Sequence, residues 1–204
     1  MQSAAEAYIY TFDHPMFLAL NFDGGRAMDW LMTVVSGTVM WIPLYAVVFA
    51  IIWQRKGWKV CISFVVCLLV AVGLADMLCG IFKHSGLLKN LWVSFPPRPR
   101  PMFEPALRGL VHVVSYAHGP YGTVSSHAAT VAAMALMSAL EIRRRWFSTV
   151  IIFATLLICY SRIYLACHYP VDIALGLVTG VAAGAAMYAI FKKTVEQIEK
   201  YAQK

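Results

Sequence analysis

From Trp30 to Trp53 the chain runs 24 residues without a charged side chain. Coiled as one helix at about 1.5 Å per residue, that run reaches about 36 Å, more than the ~30 Å hydrocarbon core of a bilayer. Four further apolar runs follow, from Val60 to Phe82, Ser126 to Ile142, Phe147 to about Ala166 and Val171 to Phe191. They predict an all-α, polytopic membrane helix bundle of about five transmembrane helices. Composition agrees, with 60% hydrophobic and 13% charged residues in 204. That balance excludes a disordered chain, a small disulfide scaffold and a coiled coil. Residues 4 to 22 mix Tyr8, Tyr10, Phe12 and Phe17 with Glu6, Asp13, His14 and Pro15. They suit an N-terminal interfacial helix, with a broken sixth span as the alternative. The N-terminus lacks the basic start of a cleavable signal peptide, so the mature chain is expected to keep it.

The domain reading is an interfacial segment 1–25, a transmembrane domain 26–192 with a long outward loop 83–125, and a tail 193–204. Charge sets the sidedness. Arg55-Lys56-Gly57-Trp58-Lys59, Arg143-Arg144-Arg145 and the Lys192-Lys193 start of the tail fall on one side if there are five spans, and that side is expected to be cytoplasmic. The net charge of +7 is thus a topological signal, and no nucleic-acid partner is expected. Loop 83–125 and the turn at His168 then face outward, toward periplasm, exterior or lumen. The five cysteines contain no Cys-x-x-Cys pair and read as small packing residues.

On that outward face lie Lys89 through Pro101, Ser125-Ser126-His127, and Ser161-Arg162 through His168 to Asp172. An ionisable residue at membrane depth costs about 2.5–3.5 kcal/mol on insertion scales, so cations, imidazoles and a carboxylate gathered there point to an oxyanion. His168 and Asp172, four apart, share a helix face. The carboxylate can hold one ring N–H while the other nitrogen stays nucleophilic. His127, at the start of a span, is placed to give a proton to a leaving oxygen. Lys89, Arg98 and Arg162 would neutralise the oxyanion's oxygens, with Ser125 Oγ and the Ser126 amide adding hydrogen bonds. This set requires no metal, and no cofactor is expected.

Ser161-Arg162-x5-His168-x3-Asp172, with Ser125-Ser126-His127 and Arg98-Pro99-Arg100-Pro101 before it, resembles the three-part signature of the type 2 phosphatidic acid phosphatase family. The second part reads Val124-Ser125-Ser126-His127 where that family usually has Pro-Ser-Gly-His. In the first part eight residues separate Lys89 from Arg98 where the family has six, which brings in Lys83 and Arg100 as alternatives. The resemblance implies an integral-membrane, metal-independent lipid phosphatase working through a phosphohistidine on the outward, periplasmic face of a bacterial inner membrane. The substrates it implies are lipid phosphates: undecaprenyl pyrophosphate, phosphatidylglycerophosphate, phosphatidic acid, diacylglycerol pyrophosphate or lipid A. A phosphotransferase and a non-catalytic lipid-phosphate binding or transport protein are the other readings. Partners are then the lipid substrate and membrane lipids, with oligomeric state left open.

The remaining polar residues read as structural. His14, His84, His112 and His118 are expected outside the site, and Asp76 as a neutral carboxyl bonded to a neighbouring helix. Gly176, Gly180 and Gly184 form a packing stripe. Loop 102–124, with Arg108, His112 and Tyr121, is expected to set headgroup choice.

Overall fold

The computed structural model describes the backbone at residues 4–115 and 119–202, and side chains at 12–115 and 119–201. His118 lies outside the described residues. The fold is all-α: α1 (Ala4–Leu20), α2 (Gly25–Ser36), α3 (Ile42–Lys56), α4 (Trp58–Lys83), α5 (Ser126–Ile142), α6 (Arg145–Tyr164) and α7 (Pro170–Ala202). Among the described residues the one β feature is an isolated antiparallel bridge between Pro99 and Tyr121.

Four stretches are long and apolar enough to span: Thr38–Lys56, Trp58–Lys83, Arg145–Tyr164 and Pro170–Tyr201. The fifth helix, α5, has 17 residues and is shorter. The charge-free run from Trp30 to Trp53 is not one helix. It ends α2 at Ser36, passes through Gly37 in an extended conformation (φ −77°, ψ 140°) and a 3-10 turn at Thr38–Trp41, and restarts as α3. Gly just past one helix and Pro43 in the first turn of the next are the usual stop and start residues. Hydropathy alone hid them. At the other end, α7 carries 33 residues, so the expected tail continues the last helix to Ala202.

The centre of the bundle is α5 wedged between α4 and α7. Gly176, Gly180 and Gly184 of α7 lie against Ser125, which caps α5, and Ala129 and Ala133 within it, two ladders of period four in register. A Cβ on Gly176 would stand 2.5 Å from the Ser125 oxygen, and one on Gly184 3.0 Å from Ala133 Cα. Only residues without a side chain let the backbones approach this closely. The main core fills the end of the bundle near the α3–α4 turn, where Phe64 meets Phe191 edge-on at 5.3 Å beside Val48, Ile52 and Met137.

At that same end Arg55, Lys56, Arg143, Arg144 and Lys192 surround one cavity, so the three basic clusters share a side. Lys56 pairs with Glu141 at 2.6 Å. All five cysteines are free and buried, as packing residues would be.

Candidate active site

The opposite end is built on the turn between α6 and α7. Arg162, in the last turn of α6, uses its carbonyl to accept from both Cys167 N (3.0 Å) and His168 N (3.3 Å). The chain reverses through Ala166 at φ +54°, a conformation that disfavours a side chain. α7 restarts at Pro170, and the Asp172 carboxylate accepts from Tyr169 N at 2.9 Å. His168 and Asp172 are both buried.

The orientation of His168 is set from across the loop. Its Nδ1 lies 2.9 Å from the Gly122 carbonyl oxygen and 3.8 Å from the nearer Asp172 oxygen. A carbonyl only accepts, so Nδ1 carries the proton and Nε2 presents a bare lone pair. The ring is therefore held by a backbone oxygen, with the carboxylate behind it rather than bonded to it as the i, i+4 spacing suggests. Nε2 faces the Arg100 guanidinium at 3.4 Å. Burial holds the His168 imidazole well below the ordinary histidine range, and the nearby Arg100 and Arg162 charges push the same way. A neutral ring is what a nitrogen nucleophile requires.

Gly122 and Arg100 come from one pairing. Gly122 N donates to Arg98 O (2.9 Å) and Arg100 N to Pro120 O (2.8 Å), on either side of the Pro99–Tyr121 bridge. Both arginines precede a proline, which favours extended backbone, and residues two apart in an extended segment point the same way. Both guanidiniums thus reach the α6–α7 turn but divide it between them. Arg100 also donates to the Cys167 carbonyl at 3.2 Å and stands beside His168. Arg98 goes deeper: it pairs with the buried Asp13 of α1, stands 3.9 Å from Asp172 and lies 3.5 Å over the Tyr169 ring. Asp13 accepts in addition from Val171 N at 3.2 Å. A cation between two carboxylates fastens α1 to the start of α7. Gly122 leaves little space for a side chain, since a Cβ there would meet Arg100 Cγ at 3.0 Å, Cys167 O at 3.2 Å and His168 Nδ1 at 3.3 Å.

A cavity of about 760 Å³ opens above His168, and Lys83, Arg100, Ser126, His127 and Arg162 line it. Lys83 Nζ donates to Ser126 Oγ at 2.5 Å, and Arg162 Nη1 to Ser36 Oγ at 2.5 Å. Of the residues expected from sequence, His168, His127, Arg162 and Ser126 meet here. Asp172 stands behind His168. Ser125 is buried as the N-cap of α5, its Oγ accepting from Ala128 N at 3.3 Å and its N–H donating to Asp172 O at 3.0 Å. The Ser126 hydroxyl, rather than that of Ser125, reaches the cavity. Lys89 is exposed and outside the lining, and Arg98 lies beneath it; Lys83 and Arg100 take the two cationic places.

Asp13, Gly122 and Ser36 carry no motif and were not legible as site residues. His84, expected outside, lines the cavity, and its Nε2 has no hydrogen-bond partner among the described residues. Asp76 lines the cavity wall and, among the described residues, is not bonded to a neighbouring helix. Of the expected headgroup residues Tyr121 lines this cavity, whereas Arg108 lines another and His112 bonds Asp29 at 2.8 Å. Asp23, Asp29 and His112 bring three donor atoms within 4.8 Å of one another, but away from this cavity and with Asp29 already accepting from Tyr164.

Fold and site together define a membrane helix bundle that closes a cationic, imidazole-bearing cup at the end opposite its basic loops. The chain belongs to the PAP2 superfamily, whose family model matches residues 64–196. It is 28% identical over 193 residues to a "Lipid A 4'-phosphatase" of Bacteroides thetaiotaomicron, covering 94% of this chain and 82% of that protein. A protein of the same name from Porphyromonas gingivalis is 25% identical over 184 residues, covering 90% of this chain and 75% of that one. The crystal structure of Aquifex aeolicus LpxE has the same fold, with a TM-score of 0.64 at 19% identity over 86% of this chain and 93% of that one.

Proposed function

We propose that this protein is an integral-membrane lipid phosphatase, with the phosphate of its substrate seated in the cup formed by Lys83, Arg100, Arg162 and Ser126. The observation that carries the reading is the setting of His168: Nδ1 lies 2.9 Å from the Gly122 carbonyl oxygen, which calls for the proton there and leaves Nε2 unprotonated, 3.4 Å from Arg100 Nη1. Nε2 attacks phosphorus, a P–N bond forms and the bond from phosphorus to the leaving oxygen breaks. His127 delivers a proton to that oxygen. Water then attacks the phosphohistidine, giving its proton back to His127, and the P–N bond breaks to release inorganic phosphate and restore neutral His168. The guanidiniums and Lys83 hold the equatorial oxygens throughout, where charge builds in the transition state. Asp172 stabilises positive charge on His168 while it is bonded to phosphorus.

The cup lies at the end away from Arg55, Arg143 and Lys192, which by the basic-loop rule supports a non-cytoplasmic site, and we take that side as the periplasmic face of an inner membrane. Among lipid phosphates, lipid A is the leading substrate, because two relatives bearing that activity in their names align with 94% and 90% of this chain. The test is phosphate release in detergent, without added metal, from lipid A, phosphatidylglycerophosphate, phosphatidic acid and undecaprenyl pyrophosphate. His168→Ala and His127→Ala should each lose about 10³-fold or more. Equal release from wild type and both variants refutes the assigned roles, and transfer to an added alcohol in place of release would make the protein a phosphotransferase.

A further inference from the structure

The end of the bundle away from the cup carries a cavity of about 510 Å³ that shares no lining residue with the cup. We infer that it binds the phosphodiester headgroup of an anionic glycerophospholipid, held as a resident and not as a substrate, since a phosphodiester has no terminal phosphate to release. Three observations carry it. First, the cavity lies at headgroup depth. α3 ends at Lys56, α5 ends at Ile142 and α6 begins after Arg144, and all three residues line it. Trp53, Trp58 and Trp146 stand 61%, 54% and 60% exposed beside those turns, as indole rings do where hydrocarbon meets headgroups. α7 supplies the remaining wall: Lys192, Glu196 and Glu199 line the cavity, and the helix runs on to Ala202.

Second, positive charge exceeds negative charge there. Lys56 is paired with Glu141 at 2.6 Å, and Arg55 Nη1 donates to Ile142 O at 3.2 Å, which ties the α3–α4 turn to the end of α5. Arg143, Arg144 and Lys192 make no ion pair among the described residues, nor do Glu196 and Glu199. With the Lys56 pair set aside, four cations face two carboxylates, an excess that one or two phosphodiesters would neutralise. Arg144 also precedes α6, whose first turn has no side-chain cap, so its N–H groups add to the positive field. Third, the floor is apolar. Ile142, Phe191 and Val195 line the cavity and are buried in the core around Phe64. A phosphate held by the cations therefore has apolar surface beneath it for the glycerol and first methylenes of a lipid, a surface that a soluble phosphate ester would leave uncovered. Basic pockets between helix ends are where acidic headgroups collect. Arg145 and Lys193, each next in sequence to a lining cation, carry the same charge but do not line the cavity.

Thermal melting of the purified protein in mixed micelles is the test, with each protein referenced to its own lipid-free midpoint. The probes are phosphatidylglycerol, phosphatidylcholine and the soluble diester glycerophosphoglycerol. At ten times its half-saturating fraction, phosphatidylglycerol should raise the midpoint by about 3–6 °C for a chain of this length. Phosphatidylcholine at the same fraction should shift it by less than about 1 °C. Arg144→Gln/Lys192→Gln, at two exposed positions, should raise the half-saturating fraction at least about tenfold. Arg145→Gln/Lys193→Gln, the same change of charge outside the lining, should keep it within about twofold. Lys83→Ala in the cup should leave the shift in place, and its loss there would put the lipid in the cup and overturn the inference. Equal weakening in both Gln pairs reduces the effect to diffuse attraction and overturns it too. No shift from phosphatidylglycerol, or an equal one from phosphatidylcholine, does the same. A shift from glycerophosphoglycerol that matches the lipid's overturns the assignment to a lipid.

Discussion

Replacing Gly180 by Ala tests whether the Gly ladder of α7 sets the distance between the two halves of the site. A Cβ at Gly180 would overlap the Ala129 carbonyl oxygen and stand 2.7 Å from its carbon, where ordinary contact begins at 3.4 Å. The oxygen is nearer still, so α5 and α7 must part by about 1 Å or more. A tightly packed interior charges about 1–3 kcal/mol for such an insertion. Against this, Ala gains up to about 1 kcal/mol over Gly in a helix interior. Gly73→Ala on α4 isolates that gain, because nothing lies within 4 Å of a Cβ there. Relative to Gly73→Ala, Gly180→Ala should be less stable by about 1–3 kcal/mol, or about 2–12 °C in thermal melting at this chain length. His127 and Ser126 ride on α5, while Asp172 opens α7 and His168 sits just before it. A displacement of about 1 Å between them should cost tenfold or more in phosphate release, since about 10²-fold follows a full ångström. The assay is melting and turnover of both variants in one detergent. If Gly180→Ala matches Gly73→Ala in both, the ladder does not set the spacing.

Arg100→Gln and Lys83→Ala should each lower turnover by about 10²–10³-fold, whereas Lys89→Ala, exposed and outside the cup, should stay within twofold in the same assay. Asp13→Asn removes the buried carboxylate that pairs with Arg98; loss of a buried ion-pair partner typically costs about 3–5 kcal/mol. The kcat should fall with little change in KM, and Asp13→Asn/Arg98→Gln should recover part of the loss; simple additivity would refute the coupling. His168 is neutral by burial, so protonating it demands more acid than a free imidazole. Its titration by ¹⁵N-imidazole NMR should have a midpoint below 6.5 with the proton on Nδ1, and Arg162→Gln should move the midpoint up. A midpoint at or above 6.5, or a proton on Nε2, would contradict the assigned geometry.

The spans were legible because burying a helix in hydrocarbon demands uninterrupted apolar sequence, and α4 and α5 match the predicted runs within two residues at either end. The break in the first run was legible only through Gly37 and Pro43, which a hydropathy window averages away. Motif spacing located His127, Arg162, His168 and Asp172, since each sits on a helix terminus or the short turn whose register the sequence dictates. It was weaker in the loop, where cross-chain pairing at Pro99 and Tyr121 decides which of Arg98 and Arg100 meets His168. Ser125 and Ser126 exchanged roles for a local reason: the residue before a helix turns its side chain back to cap it, which leaves the next hydroxyl free. Asp13 and Gly122 act through partners 85 and 46 residues away, and no local pattern encodes such a contact.

The tie from Asp13 to Val171 spans 158 residues and so has a bearing on biogenesis. α1 leaves the ribosome well before α7, yet each holds the other's end in place. A nascent chain arrested before Val171 has α1 to α6 but lacks both the N–H that donates to Asp13 and the start of α7 that anchors the turn bearing His168. The turn bearing His168 is therefore fixed only once α7 has joined the bundle, so a chain still lacking α7 holds neither Asp13 nor His168 in its folded place.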